Sequence, residues 1–462
     1  MNAFGLCLAK LQDFAPADAA FEKRPVFHGA GQAPDNLRED NMAQLSRRHA
    51  LLSGLAFGAA TAIANDGMAQ QAEPIKFGMG MALTGGLASG GRVMLITLQM
   101  WAEDVNAKGG LLGRPVKLIH YDDQTNASLV PTIYTKLLDV DKVDILFSSY
   151  ATNVVAPAMP VIMQRNKVFL SMFCIGLNTQ FNYQRYFSMH PAGPNPKPAF
   201  SEGFFKVVMA QEPKPQTIAI VTGDGEATLL VTDGVRDHIK KFGLKLVYDQ
   251  RYPLNTTDFA PIVRAVQAAN PDIFFLSSYP VDSVGLLRAI NEVGFKPKAL
   301  GGVLNGLPAP VLKAQLGAAL NGVINYEFWV PTPAMASAEA LSVIERYRQR
   351  AKGEGVDPIG IYVPPWAYAY GQIMQQAITA ANSLDDEKIA AVMRKTTFKT
   401  VVGDVKFGPD GEWEKGRMLT VQHHGIKGND IMQFKDTATM TVLDPPEYAT
   451  GKMIYPYEKA KL

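Results

Sequence analysis

Cysteine is almost absent: two residues in 462, Cys7 and Cys174. One lies near the start and the other deep in the chain, so no disulfide framework is readable, and stability has to come from core burial. Charge of one sign is also missing. Lys and Arg total 45, Asp and Glu 43, and the formal net charge is +2. No Lys/Arg run forms a basic stripe, which argues against a nucleic-acid partner. Catalytic signatures are lacking too. There is no G-x-S-x-G elbow and no H-E-x-x-H pair. "GGLLGR" (Gly109–Arg114) lacks the Lys and hydroxyl of a phosphate loop. "GDGEAT" (Gly223–Thr228) follows a strand and opens a helix, but Thr228 stands where a dinucleotide loop needs its third glycine. His423 and His424 are adjacent in a late strand. Neighbouring strand side chains point to opposite faces, so this pair does not chelate one ion. The residues give no reason to expect a metal, a cofactor or a catalytic centre.

What is present begins with an export signal. "SRRHALLSGLAFGAATAIANDGMAQ" places Arg47 and Arg48 before a short apolar run, Ala50 to Ala64. Small residues then offer cleavage after Ala64 or Ala69. The run is too short for a comfortable membrane span. The Ser-Arg-Arg start resembles a twin-arginine signal, with an ordinary Sec signal as the alternative. The expected division is 1–41 as a mis-assigned start or disordered stretch and 42–69 as the signal, Met42 being the expected first residue. The exported product keeps Cys174 alone.

From Pro74 onward apolar runs alternate with helical patterns. Expected strands are Ile75–Leu83, Val116–Asp122, Val143–Ser149 and Val168–Phe173. After the break "PAGPNPKP" a second series covers Thr217–Gly223, Leu244–Tyr252, Asp272–Tyr279, Ala299–Leu304 and Gly322–Trp329. Several are apolar throughout, as for parallel strands covered on both faces. The intervening helices close on glycine or stop before proline. Repeated strand–helix–strand units predict α/β architecture with doubly wound parallel sheets, and the Pro/Gly break predicts two lobes. "YDDQTN" (Tyr121–Asn126) reads as a turn in which Asp123, Thr125 or Asn126 caps the next helix, not as an acid/base pair. "WAYAYGQIMQQAI" (Trp366–Ile378) reads as core.

The blocks "IKFGMGMALTGGLASGG", "EDVNAKGGLLGRPVKLIHYDDQ", "PAMPVIMQRNKVFLS", "IAIVTGDG", "DFAPIVRAVQAANPDIFFLSSYPVDSVGLLRAINEVG" and "WAYAYGQIMQQAI" come in the order seen in one family. Together they resemble the type I periplasmic solute-binding proteins, in the leucine/isoleucine/valine-binding branch that serves ABC importers. The resemblance runs from about Ile75 to about Trp413. It implies two Rossmann-like lobes joined by a three-crossing hinge. The crossings are expected near His190–Gly193, Tyr326–Pro331 and Met418–Gln422. Lobe one is then 72–191 plus 330–418, and lobe two 193–327 plus 421–462.

The resemblance also implies a ligand cleft. Ser89 and Gly90 belong to the loop after the first strand, with Gly90 where amino-acid binders often carry an aromatic lid. Thr152, flanked by Tyr150 and Ala151, maps to the family's carboxylate-binding hydroxyl, with helix capping as its alternative role. Phe173, Cys174 and Ile175 follow the fourth strand, where a family threonine is missing, and Cys174 reads as apolar lining. In the second lobe Ala227 replaces a tyrosine, Asp224 and Glu226 are polar candidates, and Tyr279 is retained. Val303, followed by Leu304 and Asn305, stands where amino-acid binders place an acid for the ligand's ammonium group. A desolvated ammonium needs such a partner. The expected ligand is therefore a small organic solute: a carboxylic or aromatic acid or amide is favoured, with a branched-chain or other amino acid as the alternative. Asp224 or Glu226 would supply an amine partner if one is bound. The expected role is a monomeric, non-catalytic periplasmic protein delivering its ligand to an inner-membrane ABC permease. A ligand sensor coupled to a receptor or regulator is the alternative, and an enzyme would need demonstrable turnover.

Overall fold

A computed structural model describes residues 72–461. The expected signal segment lies outside the described residues. The first sheet is built from β1 (Ile75–Met81), β2 (Val116–Asp122), β3 (Ile145–Tyr150), β4 (Phe169–Met172) and β5 (Tyr186–Ser188). Its order is β2-β1-β3-β4-β5 and every pairing is parallel. The second series is β6 (Thr217–Gly223), β7 (Lys245–Tyr252), β8 (Ile273–Ser278), β9 (Ala299–Leu304) and β10 (Ile324–Glu327). A small hairpin follows, β11 (Thr397–Thr400) with β12 (Gly403–Lys406). The chain then adds β13 (Leu419–His423) and β14 (Met440–Asp444) to the second sheet, ordered β14-β13-β10-β9-β8-β6-β7.

Burial explains the strand composition. Every residue of β3, β8 and β9 is buried, so these central strands carry no polar alternation. The edge strands β2 and β7 are only partly covered and read "VKLIHYD" and "KLVYDQRY". The expectation of purely parallel sheets needs correction in the second lobe, where β13 pairs antiparallel with both β10 and β14. The short β5, the β11–β12 hairpin and β14 were not expected. They are brief, and their apolar residues follow no sustained period.

Between β5 and the helix Pro196–Met209 the chain leaves the first sheet for the second. It returns between β10 and the helix Ala338–Arg350, and leaves again between β12 and β13. Three passes thus join two α/β lobes. One buried apolar cluster runs from the first sheet through the interlobe region to Phe204 and Phe205 of the helix Pro196–Met209 and Phe275 of the second sheet. A separate cluster covers the other face of the second sheet.

The helix Val363–Ala381 behaves as core. Trp366 and Tyr370 are fully buried. The Tyr370 hydroxyl accepts from the Ser148 N–H (2.8 Å) and donates to the Leu170 carbonyl (2.5 Å), tying the helix to β3 and β4. The acids of "YDDQTN" are turn-formers. Asp122 Oδ1 accepts N–H bonds from Leu83 and Gln124, and Asp123 Oδ1 accepts from Thr125. Asn126 caps the 3-10 turn Ala127–Leu129 by accepting from Ser128 N–H at 3.0 Å.

Candidate functional site: an aromatic chamber between the lobes

Parallel strands leave their connecting loops at one end of each sheet, and ligands of open α/β sheets bind there. In this protein those ends face each other across a small chamber. Leu87 comes from the loop after β1, Tyr150 to Thr152 from the end of β3, and Phe173 and Ile175 from the loop after β4. His190 follows β5, Ala227 follows β6, and Tyr279 with Pro280 follows β8. Asn305 and Gly306 follow β9, Tyr326 and Phe328 sit at the second interlobe pass, and Tyr362 precedes the helix Val363–Ala381.

The chamber is about 40 Å³. That is room for one to a few waters, against about 300–1,000 Å³ for typical ligand pockets. A solute the size of an amino acid enters only when the walls move apart. Much of the space is filled by rings. Phe173 stacks on Tyr362 at 5.2 Å and on Phe328 at 5.5 Å, and meets Tyr150 edge-on at 5.5 Å.

Two of the loops hold strained backbone. Ala151 has φ 82° and ψ 155°, and Phe173 has φ 54°. Residues with a Cβ rarely adopt such angles, and each costs on the order of 1–3 kcal/mol. Both sit where a strand ends at the chamber. Glycines make the complementary adjustment. A Cβ on Gly225 would lie 2.5 Å from the Tyr279 ring, so that glycine allows the ring's close approach.

None of the lining side chains carries a formal charge. Burial pushes the Tyr150 and Tyr279 hydroxyls up to about 12 and the His190 imidazole down to about 3, so all three are neutral near pH 7. The backbone supplies the polarity. Helices Ala88–Ala107, Glu226–Phe242 and Pro280–Val293 all begin at the chamber, and none has a side-chain cap. Helix starts without a side-chain cap favour an anion, and the first turns of the second and third already hold the acids Glu226 and Asp282. The Thr152 hydroxyl accepts from the Ile175 N–H at 3.1 Å, which uses a lone pair and leaves its O–H to donate. It does not cap its own helical turn. The Tyr326 hydroxyl donates to Asn305 Oδ1 at 3.0 Å, and the Tyr150 and Tyr362 hydroxyls are 3.5 Å apart.

The structure brings together Tyr150, Ala151, Thr152, Phe173, Ile175, Ala227, Tyr279 and Asn305. Ser89 and Gly90 line an adjoining pocket that shares Leu87, Tyr150 and Tyr362 with the chamber. Four expected residues lie elsewhere. Cys174 is fully buried with its sulfur 3.7 Å from the Met172 carbonyl oxygen, and it does not line the chamber. Val303 is fully buried within β9 and packs into the core. Asp224 and Glu226 are exposed to solvent. Leu87, His190, Pro280, Gly306, Tyr326, Phe328 and Tyr362 were not expected as lining. His190, Tyr326 and Phe328 fall within or beside the expected hinge segments, and a hinge that crosses at the cleft must wall it. Leu87 lies in the glycine-rich loop after β1 that was expected to approach the ligand, and Tyr362 carried no local signal.

His423 is buried without a partner for either ring nitrogen, and His424 bonds Thr441 Oγ1 at 2.8 Å. Among the described residues no cluster of His, Cys, Asp and Glu is arranged to hold a metal.

Comparison with known proteins agrees with this architecture. Residues 74–422 match the model of a family described as periplasmic binding protein. The Leu/Ile/Val-binding protein homolog 8 of Brucella suis is 24% identical over 414 residues, covering 87% of this chain and 98% of that one. Among solved structures, the branched-chain amino acid transporter substrate-binding protein LivJ of Streptococcus pneumoniae, bound to isoleucine, superposes with a TM-score of 0.66 at 16% identity, covering 81% of this chain and 100% of that chain. An ABC-transporter solute-binding protein of Rhodopseudomonas palustris, bound to 3,4-dihydroxybenzoic acid, gives 0.64 at 17% identity, covering 77% and 94%. The chain belongs to the periplasmic binding protein family, whose members bind solutes and are not enzymes.

Proposed function

We propose that this protein is the solute-binding component of an ABC importer, and that it captures a small carboxylate with an apolar or aromatic body. On this reading the Arg47–Arg48 signal carries it to the periplasm. No described helix is long and apolar enough to cross a membrane. The lobes are 72–191 with 330–418 and 193–327 with 421–462, and they part and close about the three passes. The carboxylate rests on Thr152 and the uncapped helix starts, and the rings of Phe173, Phe328 and Tyr279 enclose the body.

One observation carries the reading: a chamber onto which three uncapped helix N-termini open has no charged side chain in its wall. An α-ammonium group placed there loses its water and gains no counter-charge. The dihydroxybenzoate complex of the Rhodopseudomonas protein fits this chemistry. The isoleucine complex of the Streptococcus protein favours an amino acid as the second reading. Thermal-shift and calorimetric screening against amino acids, aromatic and aliphatic acids, and short amides decides between them. Carboxylic acids are expected to raise the melting temperature while their α-amino counterparts do not. Tight binding of leucine or isoleucine, with no response to any plain acid, would overturn the proposal.

A further inference from the structure

Among the chamber-lining side chains, His190 carries a buried nitrogen with no hydrogen-bond partner. It lies on the first interlobe pass, is 2% exposed, and lines the chamber. Its backbone N–H donates to Ser188 Oγ at 3.2 Å, but its ring Nδ1 is buried with no hydrogen-bond partner. The ring is walled by Phe328 (4.5 Å, edge-on), Phe200 (4.8 Å) and Phe173 (6.3 Å), none of which offers a hydrogen-bonding atom. Buried polar atoms in native proteins are nearly always paired, so an unpaired one at a cavity points to a group supplied from within that cavity.

We propose that His190 is a ligand-contacting specificity residue, and that the bound solute carries an uncharged hydroxyl that pairs with its imidazole. The inference rests on the carboxylate reading above and adds a second polar group to the solute. Burial keeps the ring neutral. A neutral imidazole presents one N–H donor and one bare acceptor nitrogen. A hydroxyl both donates and accepts, so it satisfies the ring in either tautomer. An ammonium meets only the acceptor form and brings a charge that no lining side chain offsets. A methyl or a bare ring edge leaves Nδ1 unpaired. The solute class is therefore a hydroxylated carboxylate, anionic at the helix starts and hydroxylated toward the first pass.

The test is titration calorimetry on the full chain with matched probes: benzoate against para-hydroxybenzoate and 3,4-dihydroxybenzoate, and isocaproate against its α-hydroxy derivative. Wild type, His190→Phe and His190→Asn are compared. In wild type at least one hydroxylated acid is expected to bind about tenfold or more tighter than its parent. His190→Phe should erase that advantage, so that parent and hydroxylated acids bind the variant alike, whatever change the larger ring makes to both affinities together. His190→Asn, which keeps a hydrogen-bonding atom near the Nδ1 position, should retain part of it. If the phenylalanine variant does not fold, His190→Leu takes its place. Equal binding of parent and hydroxylated acids in wild type, or an advantage that survives the apolar variant, overturns the role of His190 and leaves the carboxylate reading standing. Failure of every acid to bind removes both.

Discussion

Gly90 lies directly against the ring of Tyr150: a Cβ at position 90 would sit 2.3 Å from Tyr150 Cζ. No real Cβ contact is that short, and the obstacle is a ring in a packed wall. Gly90→Ala is therefore expected to displace Tyr150 and disturb its edge-on contact with Phe173. Carboxylate affinity should fall about tenfold, because ligand contacts are lost when a wall is misplaced by an ångström. The measurement is the ligand-induced rise in melting temperature, which should shrink. An unchanged rise would mean that Tyr150 does not help enclose the ligand.

Thr152 ties the end of β3 to the loop after β4 through the Ile175 N–H. Thr152→Val keeps the shape and removes both the acceptor and the O–H. The orphaned N–H should cost about 1–3 kcal/mol of stability, and acid binding should weaken further. Thr152→Ser should restore most of both. Urea melts and calorimetry on the two variants check this, and strong acid binding by the valine variant would remove Thr152 from the site.

Lys313 and Glu327 form an ion pair at 2.7 Å with side-chain exposures of 3% and 4%, at the end of β10 where the chain passes back to the first lobe. Burial pushes the Glu327 carboxyl up, and Lys313 opposes that shift. Removing one partner strands a buried charge, typically at about 3–5 kcal/mol. Lys313→Met should destabilise the protein by that order in denaturant titrations. The double variant Lys313→Met/Glu327→Leu should recover much of the loss. Equal damage from single and double variants would show that the packing of the aliphatic stems, not the charge, matters.

Glu412 is 1% exposed and neither carboxylate oxygen has a hydrogen-bond partner. Burial pushes its carboxyl up from 4.5 to about 8; the Asp410 charge pushes the same way, and the nearby Ser188 hydroxyl opposes the shift without reaching hydrogen-bond geometry. An acid whose folded value is raised holds its proton more tightly when folded. Its contribution to stability is full below 4.5 and is lost as pH rises to about 8. The loss is about 1.4 kcal/mol per pH unit at most. Glu412→Gln should flatten the stability profile across that window and leave acidic samples almost unchanged. Identical profiles for wild type and variant would mean that the carboxyl finds solvent in the native state.

The sequence by itself determined the lobes' strand–helix alternation. Runs such as "TIAIVTG" and "DIFFLSSY" are apolar throughout because both faces of the sheet are covered, a local pattern that needs no partner to be read. It also determined that no acid stands at Val303 and which loops end at the cleft, since loop position follows from strand direction. Tertiary structure alone decided which side chain of each loop turns inward. Phe173 enters the chamber and its neighbour Cys174 does not, because a left-handed backbone at Phe173 aims that ring, and neither residue type encodes the angle. His190, Phe328 and Tyr362 became neighbours only when segments far apart in the chain were folded together. Contacts of that kind are fixed by long-range packing, which periodicity and composition do not contain.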